Sequence, residues 1–474
     1  WPVTILMVYF GLRLLFFSVS ISTYVPPDEA THFEISRIYS MVYFLPDNSQ
    51  ETYAYGLVTT IPYLYYWIMA RLLTLNIFGV SDLLFLRLLN IPFAFATVFF
   101  VWRLLRLLTE NRSTQFLLLL VMTNTLMFSF LSASVNYDNL TNLFAAMAVY
   151  YLLAFFRDRS GDLLAASFLC QLAGSLTKVT FLPMVLALNV LLLIHEFRNL
   201  RLLPHALSVY FRALSWRRLG LALGILVGLA LTIQLYGGNY LHYRKINPDI
   251  SQVLSPDKAL QNRIAARNMI FSLFREGRIS MEEALAMASQ IRHPGDRAGT
   301  IEVIRNYASL VNSGLRLAGP GAYAVFWVYQ MSITVFGILG HLQMLNEGTT
   351  LWPFAALFLL AGLGFLIRWR PRDAGWLPLY LLGLVVYYAL FLMYVVNYPT
   401  YRTYGAPTLA LQGRYIFPVL GPIYVLFSIY LLRLFKNRHA QLGLLATASL
   451  VFIALDFPYF LLHATPDWFA PMLP

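Results

Sequence analysis

Apolar runs long enough to span a bilayer recur from one end of the chain to the other, separated by short basic loops. A spanning helix needs about 20 predominantly apolar residues. The clear runs lie at roughly 2–24, 83–105, 115–133, 139–156, 163–177, 180–197, 219–237, 351–368, 375–396, 414–434 and 441–463. Two more, 57–78 and 321–342, are aromatic and interrupted. The first run is longer than the h-region of a cleaved signal, about 7–15 residues, and reads as a retained span. The pattern predicts an all-α polytopic membrane protein.

Charge decides how the chain threads. Basic residues cluster at Arg103/Arg106/Arg112, Arg157/Arg159, Arg198/Arg201/Arg212/Arg217/Arg218, Arg368/Arg370/Arg372 and Arg433/Lys436/Arg438. If neither interrupted run crosses, eleven spans result and all five clusters fall on one face, which the positive-inside rule makes cytoplasmic. If both interrupted runs cross as well, the count rises to thirteen, the first three clusters fall on one side, opposite the start of the chain, and the last two shift with the count. The eleven-span arrangement is therefore expected, with the interrupted runs lying as re-entrant or interfacial helices on the outer face. Trp and Tyr suit that depth.

Composition narrows the class further. Apolar residues make up 59% of the chain and charged residues only 12%, about half the soluble average of roughly 25%. Mean hydropathy is +0.64. This rules out a soluble globule, a disordered chain, collagen and a disulfide scaffold. The net charge of +12 sits largely in inter-helix loops and marks topology, so nucleic acid is not expected as a partner. The single cysteine, Cys170, excludes an intramolecular disulfide.

The expected organisation has three parts. Residues 1–238 form an N-terminal transmembrane module whose first outer loop is 25–82. Residues 239–320 lose the apolar run and form a helical extracytoplasmic lid, and 321–474 form a C-terminal transmembrane module. Within the lid, Ser255-Pro-Asp257 begins a helix, Ser280-Met-Glu-Glu283 is a capping box, and Pro294-Gly-Asp296 breaks and restarts the chain.

The residues able to do chemistry collect on the outer side. The first loop opens Val25-Pro-Pro-Asp-Glu-Ala-Thr-His-Phe33. Pro27 is placed to start a helix, which sets Asp28 and Glu29 in the first turn, with His32 at i+4 from Asp28 on the same face. Ordinary helix capping by these acids is the competing explanation. Asp138 opens a later span behind Asn136-Tyr137, where capping competes again. Two carboxylates converging from separate loops can bind a divalent cation (Mg, Mn or Ca), with Glu29 or His32 as further ligands. Alternatively, they can position an acceptor hydroxyl and take its proton. Lys178, in the turn Gly174–Val179, Arg87 near the outer end of its span and Arg414 at the outer start of another can hold a phosphate or diphosphate, or can anchor the helices at the interface. Arg13 and Asp456 fall near mid-membrane, where an internal ion pair is one reading. His195-Glu196 lacks the second His of a zinc-protease helix, and the chain has no P-loop, dinucleotide fingerprint or nucleophile elbow.

Asp28-Glu29 after the first span, the aromatic stretch Ile61–Trp67, and Phe78-Gly-Val-Ser followed by Arg87 resemble the GT-C superfamily of membrane glycosyltransferases. A closer resemblance is to the family of membrane proteins catalogued as domain of unknown function 2142. Its Pro-Pro-Asp-Glu-x-x-His-Phe pattern is matched at 26–33, its Asn-x-Asp turn at Asn136–Asp138, its Phe-Trp and Phe-Gly pairs at Phe326-Trp327 and Phe336-Gly337, and its Gly-Arg-Tyr-x-x-Pro at 413–418. The resemblance implies a GT-C-like bundle of about eleven spans. It also implies transfer of a sugar from a polyprenyl-phosphate or polyprenyl-diphosphate donor to a glycan, lipid or protein acceptor hydroxyl, with inversion. Asp28 would be the base, Glu29, His32 or Asp138 would orient it or hold a metal, and Lys178, Arg87, Arg414 and Tyr415 would meet the donor phosphate. The multi-pass chain would lie in the plasma or inner membrane with its site extracytoplasmic. A transporter or flippase for a lipid-linked or anionic solute, and a noncatalytic assembly protein, are the rival readings. A transporter tends to show two similar halves and midplane charges, and beyond Arg13 and Asp456 this chain shows neither.

Overall fold

A computed structural model describes residues 2–23, 25–49, 52–55, 58–77, 79–197, 215–291, 294–313, 317–340, 344–346, 348–370 and 375–470. Phe78, Arg198, Arg201, Arg212 and Arg372, named above, lie outside the described residues. The chain is helical almost throughout, as a bilayer requires, because its hydrocarbon core offers no water to bond a free N–H or C=O. In order come α1 (Pro2–Ser20), α2 (Glu29–Ser40), α3 (Leu64–Leu73), α4 (Asp82–Arg106), α5 (Arg112–Thr123), α6 (Leu126–Ser132), α7 (Tyr137–Asp158), α8 (Gly161–Thr177), α9 (Val179–Glu196) and α10 (Trp216–Tyr243). The three longer helices of the polar segment follow: α11 (Arg263–Arg275), α12 (Met281–Ser289) and α13 (Pro294–Ser313). Then come α14 (Pro320–Phe336), a two-stranded ribbon of Ile338–Leu339 and Met344–Leu345, α15 (Leu351–Arg368), α16 (Leu377–Tyr404), α17 (Gly413–Arg433) and α18 (Arg438–His463).

Among the described residues, α1, α4, α7, α9, α10, α15, α16, α17 and α18 are long and apolar enough to cross a membrane. The pair α5–α6, bent by 64° at Asn124–Thr125, makes ten as one broken span. The eleventh expected run forms α8, only 17 residues long. The two interrupted runs behave differently from these. The first yields only the 10-residue α3. The second yields α14, whose two ends are tied to the same end of the bundle. Tyr323 stacks on Tyr401 at the end of α16 (5.0 Å), and Phe336 stacks on Phe354 at the start of α15 (4.0 Å).

The ends of the bundle are chemically distinct. Arg103 donates to the Tyr150 hydroxyl (2.6 Å), Arg218 to Asp162 (3.0 Å) and Arg368 to the Leu434 carbonyl (2.9 Å), and Arg159 pairs with Glu196. These contacts gather the described basic clusters at one end, opposite Asp28, Asp138 and Arg414. Helices α15 and α17 cross closely, because a Cβ on Gly364 would collide with the Tyr430 backbone, and small residues allow such approach where lipid supplies no hydrophobic drive. Inside, the buried Arg13 pairs with Asp456 and donates to the Thr123 carbonyl (2.5 Å). It thereby bridges the break in α5–α6 and the break in α18 that follows Leu455.

The polar segment folds much as its capping signals direct. Ser280 and Glu283 form the expected reciprocal cap, with the Ser280 N–H donating to Glu283 (2.7 Å) and the Glu283 N–H to Ser280 Oγ (3.1 Å). Ser255-Pro-Asp257 yields only a single turn, Pro256–Ala259, and α13 restarts at Pro294. Ile270, Ala284, Ala288 and Ile304 form a small core of this segment's own. Phe271 packs on Tyr404 (4.6 Å), whose hydroxyl donates to Asn268 (3.1 Å), joining α11 to the end of α16.

Candidate functional site

Four chain segments meet at the end of the bundle away from the basic clusters. The turn Pro26–Asp28 enters α2, with Asp28 just before the helix in the left-handed region at φ 60°. That conformation is uncommon for a residue with a Cβ and tends to persist where its surroundings over-determine it. The helix therefore starts at Glu29, two residues after Pro27, and Asp28 makes no side-chain cap. Its carbonyl accepts from the His32 N–H (3.0 Å), which keeps His32 one turn along, as the spacing predicts.

Glu29 and Arg87 lock this entry. Arg87 forks onto both Glu29 oxygens, with Nε at 2.8 Å, and its Nη1 donates to the carbonyls of Ser18 (3.0 Å) and Ile21 (2.7 Å). Glu29 also accepts from the Val135 N–H (2.9 Å). The pair is buried and ties the end of α1, the first turn of α2 and the turn before α7 to α4. Arg87, expected to meet a donor phosphate, has its donors directed at this strut instead. Its fork matches a carboxylate bidentately, and loop carbonyls at the end of α1 complete its shell.

Asp28, Asp138, Arg414 and Lys178 form a line of alternating charge. Arg414 donates to Asp28 (2.5 Å), lies 3.6 Å from Asp138 Oδ2, and is steadied by Gln412 (2.6 Å) and the Pro27 carbonyl (3.3 Å). Lys178 donates to Asp138 Oδ1. Asp138 does not cap α7; Asn136 does so, accepting from the Asp138 N–H (2.9 Å) while its amide donates to the Pro27 carbonyl (3.0 Å). The Lys178 ammonium lies over the rings of Tyr137 (4.6 Å) and Tyr415 (4.9 Å), a cation–π setting. Tyr415 also flanks Arg414, 5.4 Å from its guanidinium carbon. Gly413 makes the position of Arg414 possible: a Cβ there would come within 2.6 Å of the Thr334 backbone, and its N–H bonds Thr334 Oγ1 (2.8 Å). The side chains of Arg414, Asp138 and Lys178 are 2–6% exposed, whereas that of Asp28 is 32% exposed. Asp28 is thus the member of the line that an incoming molecule meets.

His32 is buried beside this line. Its Nδ1 lies 2.8 Å from the Tyr66 hydroxyl and its ring packs on Tyr137 (4.3 Å). Burial holds the imidazole neutral, with its pKa pushed down to about 3, and pushes the Tyr66 phenol well above its usual value. Among the described residues no group of three or more His, Cys, Asp or Glu side chains converges as a metal site. Of the four expected ligands, Glu29 faces Arg87, and Arg414 stands between Asp28 and Asp138.

The structure therefore brings together Asp28, Asp138, His32, Lys178, Arg414 and Tyr415, and sets Glu29 and Arg87 behind them as a support. Tyr66, Tyr137, Asn136 and Gln412 were not singled out as site residues. The aromatic run Ile61–Trp67 was the one signal that pointed toward Tyr66.

Residues 60–218, about a third of the chain, match the family described as dolichyl-phosphate-mannose-protein mannosyltransferase. No curated protein gives a significant match. Among solved structures, the chain is similar to ArnT from Cupriavidus metallidurans in the apo state, at 14% identity over 90% of this chain and 77% of that one, with a TM-score of 0.35. The undecaprenyl phosphate-bound form of ArnT gives 15% identity, 93% and 77% coverage and a TM-score of 0.37. The oligosaccharyltransferase AglB from Archaeoglobus fulgidus, in complex with an inhibitory peptide and a dolichol-phosphate, gives 12% identity and a TM-score of 0.46 over 98% of this chain. The chain spans 58% of that protein.

Proposed function

We propose that this chain is a membrane glycosyltransferase that moves a sugar from a polyprenyl-phosphate-linked donor to an acceptor hydroxyl on the extracytoplasmic side. It would be a GT-C-type enzyme of the family catalogued as domain of unknown function 2142. The observation that carries the reading is the line Lys178–Asp138–Arg414–Asp28, with two buried cations and a solvent-reached carboxylate at one end of a lipid-embedded bundle. The mannosyltransferase-like match over 60–218 supports it. A polyprenyl tail stays in the bilayer, so its phosphate must be met where helices reach the headgroup layer.

In this reading the acceptor hydroxyl oxygen attacks the anomeric carbon while the bond from that carbon to the phosphate oxygen breaks. The electron pair leaves with the phosphate, and the hydroxyl proton goes to Asp28. A single displacement inverts the anomeric centre. The leaving group gains one negative charge as Asp28 loses one, so Arg414, relieved of Asp28, and Lys178 can stabilise the departing phosphate. Such prearranged charges at the place where charge develops are worth several kcal/mol of barrier. A divalent cation between Asp28 and Asp138 would have to displace Arg414, so charge neutralisation falls to the two basic residues. A chelator is then expected to leave turnover unchanged; loss of activity restored by added Mg²⁺ or Mn²⁺ would refute that part.

The direct test is Asp28→Asn in proteoliposomes charged with the lipid-linked sugars of the native membrane. Sugar transfer should drop by at least a hundredfold while binding of undecaprenyl phosphate persists. Turnover within a few-fold of wild type would remove the base assignment, and solute flux without a new glycosidic bond would favour a transporter.

A further inference from the structure

Two buried polar atoms in the site lack hydrogen-bond partners: His32 Nε2 and Asp138 Oδ2. Buried polar side chains are satisfied in the large majority of cases, so a pair in one site calls for a physical account. Their chemical characters follow from their neighbours. The Tyr66 hydroxyl is buried, and His32 Nδ1 is its hydrogen-bond partner. Were Nδ1 the donor, the phenol proton would have no acceptor among the described residues. The phenol therefore donates to Nδ1, which fixes the proton of the neutral imidazole on Nε2 and makes that atom a donor. Asp138 has its Oδ1 on Lys178, and its Oδ2, 3.6 Å from Arg414, remains an acceptor. The two groups are linked through Tyr137, whose ring packs on His32 at 4.3 Å and lies 4.6 Å from the Lys178 ammonium that donates to Asp138. Asp28, Arg414, Asp138 and Lys178 all act electrostatically on the imidazole.

One donor and one acceptor together select a group that both accepts and donates. A phosphate or carboxylate cannot give a proton to Asp138, and an ammonium cannot accept from His32. A hydroxyl does both. We infer that His32 Nε2–H and Asp138 Oδ2 form a subsite for a hydroxyl of the transferred sugar, beside the phosphate nook of Lys178 and Arg414. This rests on the glycosyltransferase reading and adds to it the face by which the sugar is recognised. The hydroxyl nearest the anomeric carbon, on C2, is the one that fits, because Asp138 is itself paired with both phosphate-binding cations.

The test separates the sugar from the phosphate. Wild-type protein and the His32→Gln and His32→Phe variants, all in nanodiscs, are titrated with farnesyl phosphate and with farnesyl phosphate esters of mannose, glucose, galactose, arabinose and N-acetylglucosamine. A 2-deoxy counterpart of the tightest ester is titrated as well. Farnesyl phosphate should bind all three proteins alike, which also shows that the variants are folded. At least one sugar ester with a free 2-hydroxyl should bind wild type roughly five- to tenfold more tightly than either variant, the loss expected for one hydrogen bond. Its 2-deoxy form should not distinguish the three proteins. If farnesyl phosphate binds but no ester separates wild type from the variants, or the 2-deoxy form separates them equally, the subsite is wrong and the phosphate nook stands. If farnesyl phosphate fails to bind wild type, the glycosyltransferase reading falls, and this inference with it. A density map of the ester complex showing only water at His32 and Asp138 would also overturn it.

Discussion

At the scale of single residues, the site is built from charges whose burial is tolerable only in pairs. Removing one partner of a buried pair leaves an uncompensated charge and costs about 3–5 kcal/mol, whereas replacing both by apolar groups can be neutral. Arg87→Met should therefore destabilise the protein on that order by stranding Glu29, while Arg87→Met with Glu29→Leu should recover much of the loss in thermal unfolding in detergent. The same cycle applied to Arg13 and Asp456 should give the same pattern, because both residues are buried. Equal loss in the single and double variants would mean that packing, not charge, holds those junctions. His32 supplies a pH test. Its folded pKa, about 3, lies below the unfolded value of about 6.5, so the unfolded chain takes up the proton first as pH falls. Stability contributed by neutral His32 is complete above about pH 6.5 and lost as pH drops toward 3. Wild type should lose on the order of 3 kcal/mol more than His32→Gln between pH 7 and 4, as read from denaturation in matched detergent. Parallel curves for the two proteins would place the imidazole in contact with water.

At the scale of helices and loops, what was legible in the sequence divides along physical lines. The apolar runs were readable because a bilayer imposes its thickness on each helix separately, with no need to know the neighbours. The Ser280–Glu283 cap was readable because it is closed within four residues. Asp28, His32 and Asp138 were marked out by density of titratable groups beside Pro26-Pro27 and by the Asn136–Asp138 turn. What the sequence did not disclose depends on contacts between distant segments. It did not show that Arg87 turns to Glu29 and away from Lys178 and Arg414, or that Asn136, not Asp138, caps α7. It also did not show that the Tyr66 hydroxyl is the partner of His32 Nδ1. The strut and the nook both consist of an Arg near an acid, and only the fold tells them apart. Gly413 belongs to this level too, since its need for space comes from the end of α14. Gly413→Ala should push Arg414 off its partners and cost about 1–3 kcal/mol, with farnesyl phosphate binding weakened in step. Unchanged binding and melting would show that α14 yields easily.

For the whole molecule, the segregation of charge is the governing feature. The described basic clusters occupy one end of the bundle, and the carboxylate–cation line occupies the other; the polar segment packs on the end of α16 at Tyr404. Under the proposed function, the positive-inside rule would set the basic end in the cytoplasm and the site on the outer side, where a lipid-linked sugar and its acceptor would meet. With Cys170 replaced by Ser, a cysteine at Asp47 should react with an impermeant maleimide in intact cells, and one at Lys436 only after permeabilisation; the reverse would invert the chain. The enzyme reading itself comes down to where a lipid phosphate sits. A cryo-electron microscopy map of the protein with undecaprenyl phosphate tests this most directly. The account predicts the phosphate within hydrogen-bond distance of both Lys178 and Arg414, with Arg414 drawn away from Asp28. A phosphate held elsewhere, with the Asp28–Arg414 contact intact, would contradict it.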